Sequence, residues 1–217
     1  MPRKKILWLC SWYPSNLMPF NGDFIKRHAE AVSLYDDIRV IHIVRDPKGI
    51  ITKDVLTEDS KKDGLAEKII YYYTPSFRIS LFDKYWSELK FRKLYKQAVA
   101  DYIRKSGMPD LAHVHVGIKA GAIALWLKKK KAVPYVISEH WSGFLPEADE
   151  KISDQPFYLR SLWKKVIAGA RALSAVSAHL ANAIQKQYGL KKISVIPNVV
   201  NTAVFYPAAT LPNDIRF

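Results

Sequence analysis

The stretch "ALSAVSAHLANAIQKQYGLKKISVIPN", residues 172–198, decides the fold. It opens on an apolar run (172–177), crosses a segment whose apolar residues recur at helical spacing, and closes on a second apolar run (193–198). Ser177 stands where a helix N-cap belongs, its hydroxyl able to accept an N–H of the first turn, and Gly189 stands at C′, where left-handed backbone ends a helix. Strand, helix and strand in that order predict a βαβ unit with its two strands parallel.

Outward from this unit the rhythm repeats. "ILWLC" (6–10), "RVIHIV" (39–44), "LAHVHV" (111–116) and "PYVISE" (134–139) are further short apolar runs. Helical segments are expected from Asp23, with Phe24, Ile25, His28, Val32 and Tyr35 on one stripe, and over Leu81–Lys105, Ile118–Lys130 and Pro156–Ala170. Near-continuous apolar strands alternating with helices predict an α/β chain: a Rossmann-like, doubly wound, mainly parallel sheet with helices on both faces. Residues 45–74 break the rhythm. They read as two strands joined by a charged turn at Asp63-Gly64, the second ending in Tyr71–Tyr73, an excursion on the same sheet.

At 217 residues, nearly half of them apolar, one globular domain with a buried core is expected. The single cysteine, Cys10, excludes an intramolecular disulfide; at the end of an apolar strand it reads as a buried structural thiol and suits a reducing compartment. The start "MPRKKILWLCSWYP" lacks a small-residue cleavage site, and no run of about 20 apolar residues occurs, so a cytoplasmic chain is expected. The formal charge of +14, with lysines clustered at 128–131, 164–165 and 191–192, suits anionic partners without choosing among nucleic acid, lipid surfaces and phosphorylated small molecules.

In an open parallel sheet ligands collect beyond the carboxyl ends of the strands. That rule selects Asn21, Gly22 and Asp23 after the first run, His115 after the third, and Glu139, His140, Trp141 and Ser142 after the fourth. It also selects Ser177 and Asn198 after the last two. A glycine before a helix lets backbone approach a ligand, and the first-turn N–H groups can face an anion; "NGD" is also an ordinary turn and cap. "SEHWSG" (138–143) offers a histidine able to donate a hydrogen bond or accept a proton. His113 and His115 alternate and share a strand face; with no matching cysteine or carboxylate spacing they read as core histidines, and no metal ligand is named. G-x-S-x-G is absent, which weakens a hydrolase reading.

In their order, "YPSNLMPFNGDFIKRHAEAV", "HVHV", "SEHWSG" and "ALSAVSAHLANAIQKQYGLKKISVIPNVVNTAVFYP" resemble the N-terminal half of the retaining GT-B glycosyltransferases of family 4. Where the family commonly shows Pro-Asn-Gly-Val-Asp before Phe and Pro, this chain has Pro197, Asn198, Val199, Val200 and Asn201 before Phe205 and Pro207. The resemblance implies an acceptor-side domain over residues 1–207, the start of a hinge at 208–217, and a further Rossmann-like domain that holds most of the nucleotide-sugar. It implies metal-independent transfer of a hexose-type sugar, with retained configuration, to a carbohydrate or lipid-linked acceptor in polysaccharide or glycolipid synthesis at the cell envelope. No cofactor is implied; the nucleotide-sugar is a substrate, and the chain without its other half is expected to be inactive. His140 would line the reaction centre, and Gly22 would approach the donor phosphates or the acceptor.

The segment 77–96 interleaves Phe77, Phe82, Tyr85, Trp86, Leu89 and Tyr95 with Arg78, Lys84, Lys90, Arg92, Lys93 and Lys96. This pattern fits contact with an anionic membrane surface, on the inner face of the membrane, or a sheet-covering helix with a wet lysine face, with Leu89, Leu94 and Ile103 inward. A rival to the enzyme is a noncatalytic basic binding module. Nucleic acid is not expected as the partner, because no zinc pattern, aromatic RNA-binding signature or recognition-helix unit is present.

Overall fold

The first strand, β1 (Lys5–Cys10), buries its last four residues on both faces, as a strand covered on both sides must. The computed structural model describes residues 2–51, 53–75, 80–190, 192–200 and Thr202, with the side chains of Ser80 and Leu81 left aside. Asn201, Phe205, Pro207, the hinge at 208–217, Phe77 and Arg78 lie outside the described residues.

Around β1 stand β2 (Asp37–Asp46), β3 (Val55–Lys62), β4 (Leu65–Tyr73), β5 (Leu111–His115), β6 (Tyr135–Glu139), β7 (Ala172–Ala175) and β8 (Ser194–Val195). They form one sheet in the order β3-β4-β2-β1-β5-β6-β7-β8. All six apolar runs pair in parallel with their neighbours. The expected excursion is a hairpin, β3 against β4, turning at Asp63 and Gly64, both at positive φ. Its tyrosine-rich strand β4 runs parallel to β2, so among the described strands only β3 is antiparallel. The run at 193–198 shortens to a two-residue strand, since Pro197 has no N–H to give a ladder.

The helices are α1 (Asp23–Ser33), α2 (Ser80–Ser106), α3 (Gly117–Lys131), α4 (Phe157–Gly169) and α5 (Ala178–Tyr188). With this strand order the right-handed crossover rule puts α1 on one face of the sheet and α3, α4 and α5 on the other, in keeping with the packing of α3 on α4 and of α2 beside α3. α5 begins and ends as its sequence predicts: Ser177 accepts the Leu180 N–H at 3.2 Å, and Gly189 takes φ 66°. The stripe expected on α1 needs correction at one position. Ile25 and Ala29 are buried and Phe24, His28 and Val32 half-buried, but Tyr35 lies past the helix end, in a turn, and is 76% exposed. On α2 the buried side chains include Phe91, Tyr95, Ala98 and Val99, whereas Phe82, Tyr85, Trp86 and Leu89 are exposed. Leu89 therefore does not cover the sheet, though Leu94 and Ile103 do pack against the core.

The strand order reverses direction between β1 and β5, so the crevice beyond their carboxyl ends is the topological switch point. Cys10 is buried there as a free thiol, pushed well above the usual thiol range by burial.

Candidate functional site

Three loops meet at the switch point. The first, between β1 and α1, is tied to the sheet at its start and its middle. Ser11 donates its hydroxyl to the Val116 carbonyl, accepts the Ala120 N–H at 3.0 Å, and gives its own N–H to the His115 carbonyl at 3.0 Å. Further on, Tyr13 donates to Glu67 at 2.6 Å, Asn16 donates its side-chain amide to Glu58 at 2.6 Å, and the Asn16 N–H reaches the Tyr71 hydroxyl at 3.0 Å. The β3–β4 hairpin thus holds the loop, which explains a rigid run of aromatics and prolines between strand and helix. Gly22 closes it at φ 71°, where an added Cβ would meet Trp12 backbone and side-chain carbons at 3.0 Å, so both conformation and space require glycine.

Asp23 follows the turn-and-cap reading of "NGD". Its carboxylate accepts the Phe24 N–H at 2.8 Å and pairs with Arg27 at 2.6 Å. A negative charge already occupies the start of α1, so the first turn is not an open anion cradle as the sequence suggested. Asn21 sits half-buried beside it, its side-chain amide 3.9 Å from the Met18 sulfur. The start of α3 is closed by Ser11, and Ser177 is spent capping α5.

The second loop follows β5. Val116 holds φ 58° and ψ 93°, a conformation rare for any residue with a Cβ and most costly for a β-branched one, and its side chain is fully buried. Gly117 follows, packed so closely on the Trp163 ring that no side chain would fit.

The third loop follows β6. Glu139 is 1% exposed and points inward. Its carboxylate accepts N–H groups from Gly117 at 3.1 Å, His140 at 3.0 Å and Trp141 at 2.9 Å, and burial pushes it up to about 7 against the pull of those bonds. Trp141 is also buried, its ring 5.6 Å from that of Phe144 in a short 3₁₀ turn, while Ser142 faces solvent. Glu139 and Trp141 are thus turned into the protein; successive residues leaving a strand point to opposite sides, and His140 takes the cleft side.

His140 joins a cluster that no sequence motif announces. Its ring lies 4.7 Å from Phe24, 6.2 Å from His28 and 6.1 Å from His115, nearly parallel to the last. His115 stacks on Trp8 at 4.0 Å and lies 4.1 Å from His113. His113 is engaged with the Ser138 hydroxyl at 2.8 Å, but both ring nitrogens of His115 and His140, and Nε2 of His28, are buried without a partner among the described residues. Burial pushes His140 down to about 4 and His113 to about 3, each lowered further by neighbouring imidazoles, and holds His115 well below the usual range. His28 is lowered by burial and by Arg27, partly offset by the Asn198 side chain. At neutral pH these rings are uncharged, each offering one donor and one acceptor. No three His, Cys, Asp or Glu side chains converge as a metal would need among the described residues.

The structure therefore brings together His115, His140 and Asn198 from the expected set and adds His28, Phe24 and Ser11. The available clue to His28 was its place four residues after Phe24, on one helix face beside the first loop. A cavity of about 510 Å³ lies elsewhere. It lies at the amino ends of β1, β2 and β4, between Lys5, Lys105 and the ion pairs of Asp59 with Arg39 and Lys68.

A sequence model of Glycosyltransferase Family 4 matches residues 52–204. Over 219 residues the chain is 25% identical to TuaC of Bacillus subtilis (strain 168), named as a teichuronic acid biosynthesis glycosyltransferase, with 98% of this chain and 54% of that protein aligned. The chain spans about half the length of this curated relative. Its fold resembles that of sucrose-phosphate synthase from Thermosynechococcus elongatus, with a TM-score of 0.60 at 15% identity over 95% of this chain and 51% of that one. With the family matched across most of its length and the doubly wound sheet of one GT-B half, the chain belongs to glycosyltransferase family 4.

Proposed function

We propose that this chain is the N-terminal, acceptor-side half of a retaining glycosyltransferase, spanning residues 1–207, that transfers a hexose-type sugar from a nucleotide-sugar to an acceptor hydroxyl in polysaccharide or glycolipid synthesis at the cell envelope. The observation that carries this reading is the character of the switch-point crevice. Its helix starts are occupied by Ser11, Asp23 and Ser177, and its histidines are uncharged. A donor diphosphate wants free N–H groups and cations; neutral imidazoles suit hydroxyls, which donate and accept in turn. The diphosphate is accordingly assigned to the other half of the enzyme, and the sugar hydroxyls to this one. The relative named for teichuronic acid synthesis supports an envelope acceptor.

His140 is the residue placed at the reaction centre. In the natural full-length protein, His140→Ala lowers transfer by about 100-fold, the scale for losing a positioned acid–base or electrostatic group. His113→Ala, removed from the cleft and bonded to Ser138, acts on stability instead. Residues 1–217 alone bind nucleotide-sugar weakly and do not turn over; turnover near 1 per second by that piece overturns the assignment. Normal transfer by the His140→Ala protein, with loss on His113→Ala in a folded one, overturns the choice of histidine.

The start of α2 supports a peripheral membrane role on the cytoplasmic face, with a lipid-linked acceptor presented there. Phe82 and Trp86 stack at 6.4 Å on its exposed side, beside Tyr85 and Leu89 and on the same side as Lys93. No helix among the described residues is long and apolar enough to cross a membrane.

A further inference from the structure

Glu139 is nearly fully buried, and no cation is bonded to it among the described residues. Such a carboxylate is costly unless its lone pairs are taken up. Here they are: Oε1 accepts the N–H groups of His140 and Trp141, and Oε2 accepts that of Gly117. The donors belong to two loops leaving adjacent strands, β5 and β6, and the Gly117 N–H lies at the positive end of α3. One side chain therefore ties together the loop that carries His140 and the loop in which Val116 is held at positive φ. Only an acceptor at both oxygens can meet three converging N–H groups; a glutamine of the same shape turns a donor toward at least one of them.

We propose that Glu139 is the positioning residue of the cleft, a buried staple that fixes the backbone at His140 and so sets the imidazole between Phe24, His28 and His115. This rests on the reading that His140 lines the reaction centre. Displacement of about 1 Å at a reacting group can cost on the order of 100-fold in rate, so the staple acts on transfer through His140 and not by touching substrate.

The test uses the natural full-length protein and its Glu139→Gln, His140→Ala and doubly substituted variants. Glu139→Gln is expected to lower kcat by about 10- to 100-fold with KM for the nucleotide-sugar changed by less than about 2-fold. The double variant is expected to be no slower than His140→Ala alone. Multiplying losses, or near-normal kcat in Glu139→Gln, overturn the proposal. Amide hydrogen exchange at Gly117, His140 and Trp141 reads the staple separately. Faster exchange in Glu139→Gln is expected, and unchanged exchange overturns the staple even if His140→Ala itself proves fully active. Should Glu139→Gln fail to fold, the unsubstituted protein decides: the three amides are expected to be protected, and rapid exchange at all of them overturns the assignment.

Discussion

Val114 and Val116 are both fully buried within the same short segment, yet only Val116 sits at positive φ. Substituting glycine removes the same side chain at either place, but at Val116 it also relieves backbone strain of about 1–3 kcal/mol. Val116→Gly should therefore destabilise less than Val114→Gly by at least about 1 kcal/mol in urea titrations, and equal losses would show that the position carries no strain. The rule that ligand-bearing residues follow strand ends brought His115, His140 and Asn198 to the crevice without any motif, because it depends only on parallel topology. It could not distinguish Glu139 and Trp141 from His140. Their direction depends on where β6 stops pairing, and a one-residue difference in that boundary exchanges inside for outside. His28 and the strained Val116 were hidden for another reason: their environment is made by residues far away in sequence.

Among the elements, α5 was the most legible, since a serine and a glycine with opposite backbone demands bracket it. Ser177→Ala should cost about 1 kcal/mol, read from the thermal or urea midpoint, because it leaves the Leu180 N–H without its acceptor. α2 was the least legible. At 27 residues it is about 40 Å long, against roughly 33 Å for the ten-residue β2 and 20 Å for β1, so a helix packed on this sheet overhangs it. Periodicity reports which side of a helix is apolar, not where the sheet beneath it ends; Ser87 is already buried against Tyr72, and Leu89 is exposed because it stands on the side of Trp86 and Lys93, about 120° around the helix from the fully buried Tyr95. If that overhang meets lipid, replacing both Phe82 and Trp86 with serine should reduce sedimentation with anionic vesicles by about 10-fold or more, the loss expected from two interfacial aromatics, and leave thermal stability nearly unchanged. Equal binding to anionic and neutral vesicles, or no loss in the variant, would refute the contact.

For the molecule as a whole, buried histidines set the response to acid. In the unfolded chain imidazoles take up protons near pH 6.5, whereas in the fold His42 and His140 resist to about 4 and His113 to about 3. Below pH 6.5 the unfolded chain binds protons that the fold refuses, so this stability is complete above pH 6.5 and is lost as pH falls toward 4. Glu139 works in the opposite sense: raised to about 7, it contributes most at low pH and less as pH rises to 7, and it is outnumbered. The unfolding free energy should fall between pH 7.5 and pH 5, with about 2 kcal/mol of the loss from His42 alone. His42→Asn, which can still donate to the Cys10 carbonyl, should remove about that share; an unchanged pH dependence would contradict the assignment. The sheet order has a different consequence, for behaviour in a crowded solution. One border is β3, whose exposed residues include Asp59, Lys61 and Lys62, and the other is the two-residue β8. A stray strand joining the first would have to desolvate a row of charges, and at the second it would find almost no ladder to extend. A parallel sheet this broad, slow to assemble and exposed while it does so, is thereby guarded at both margins against fusing with its neighbours.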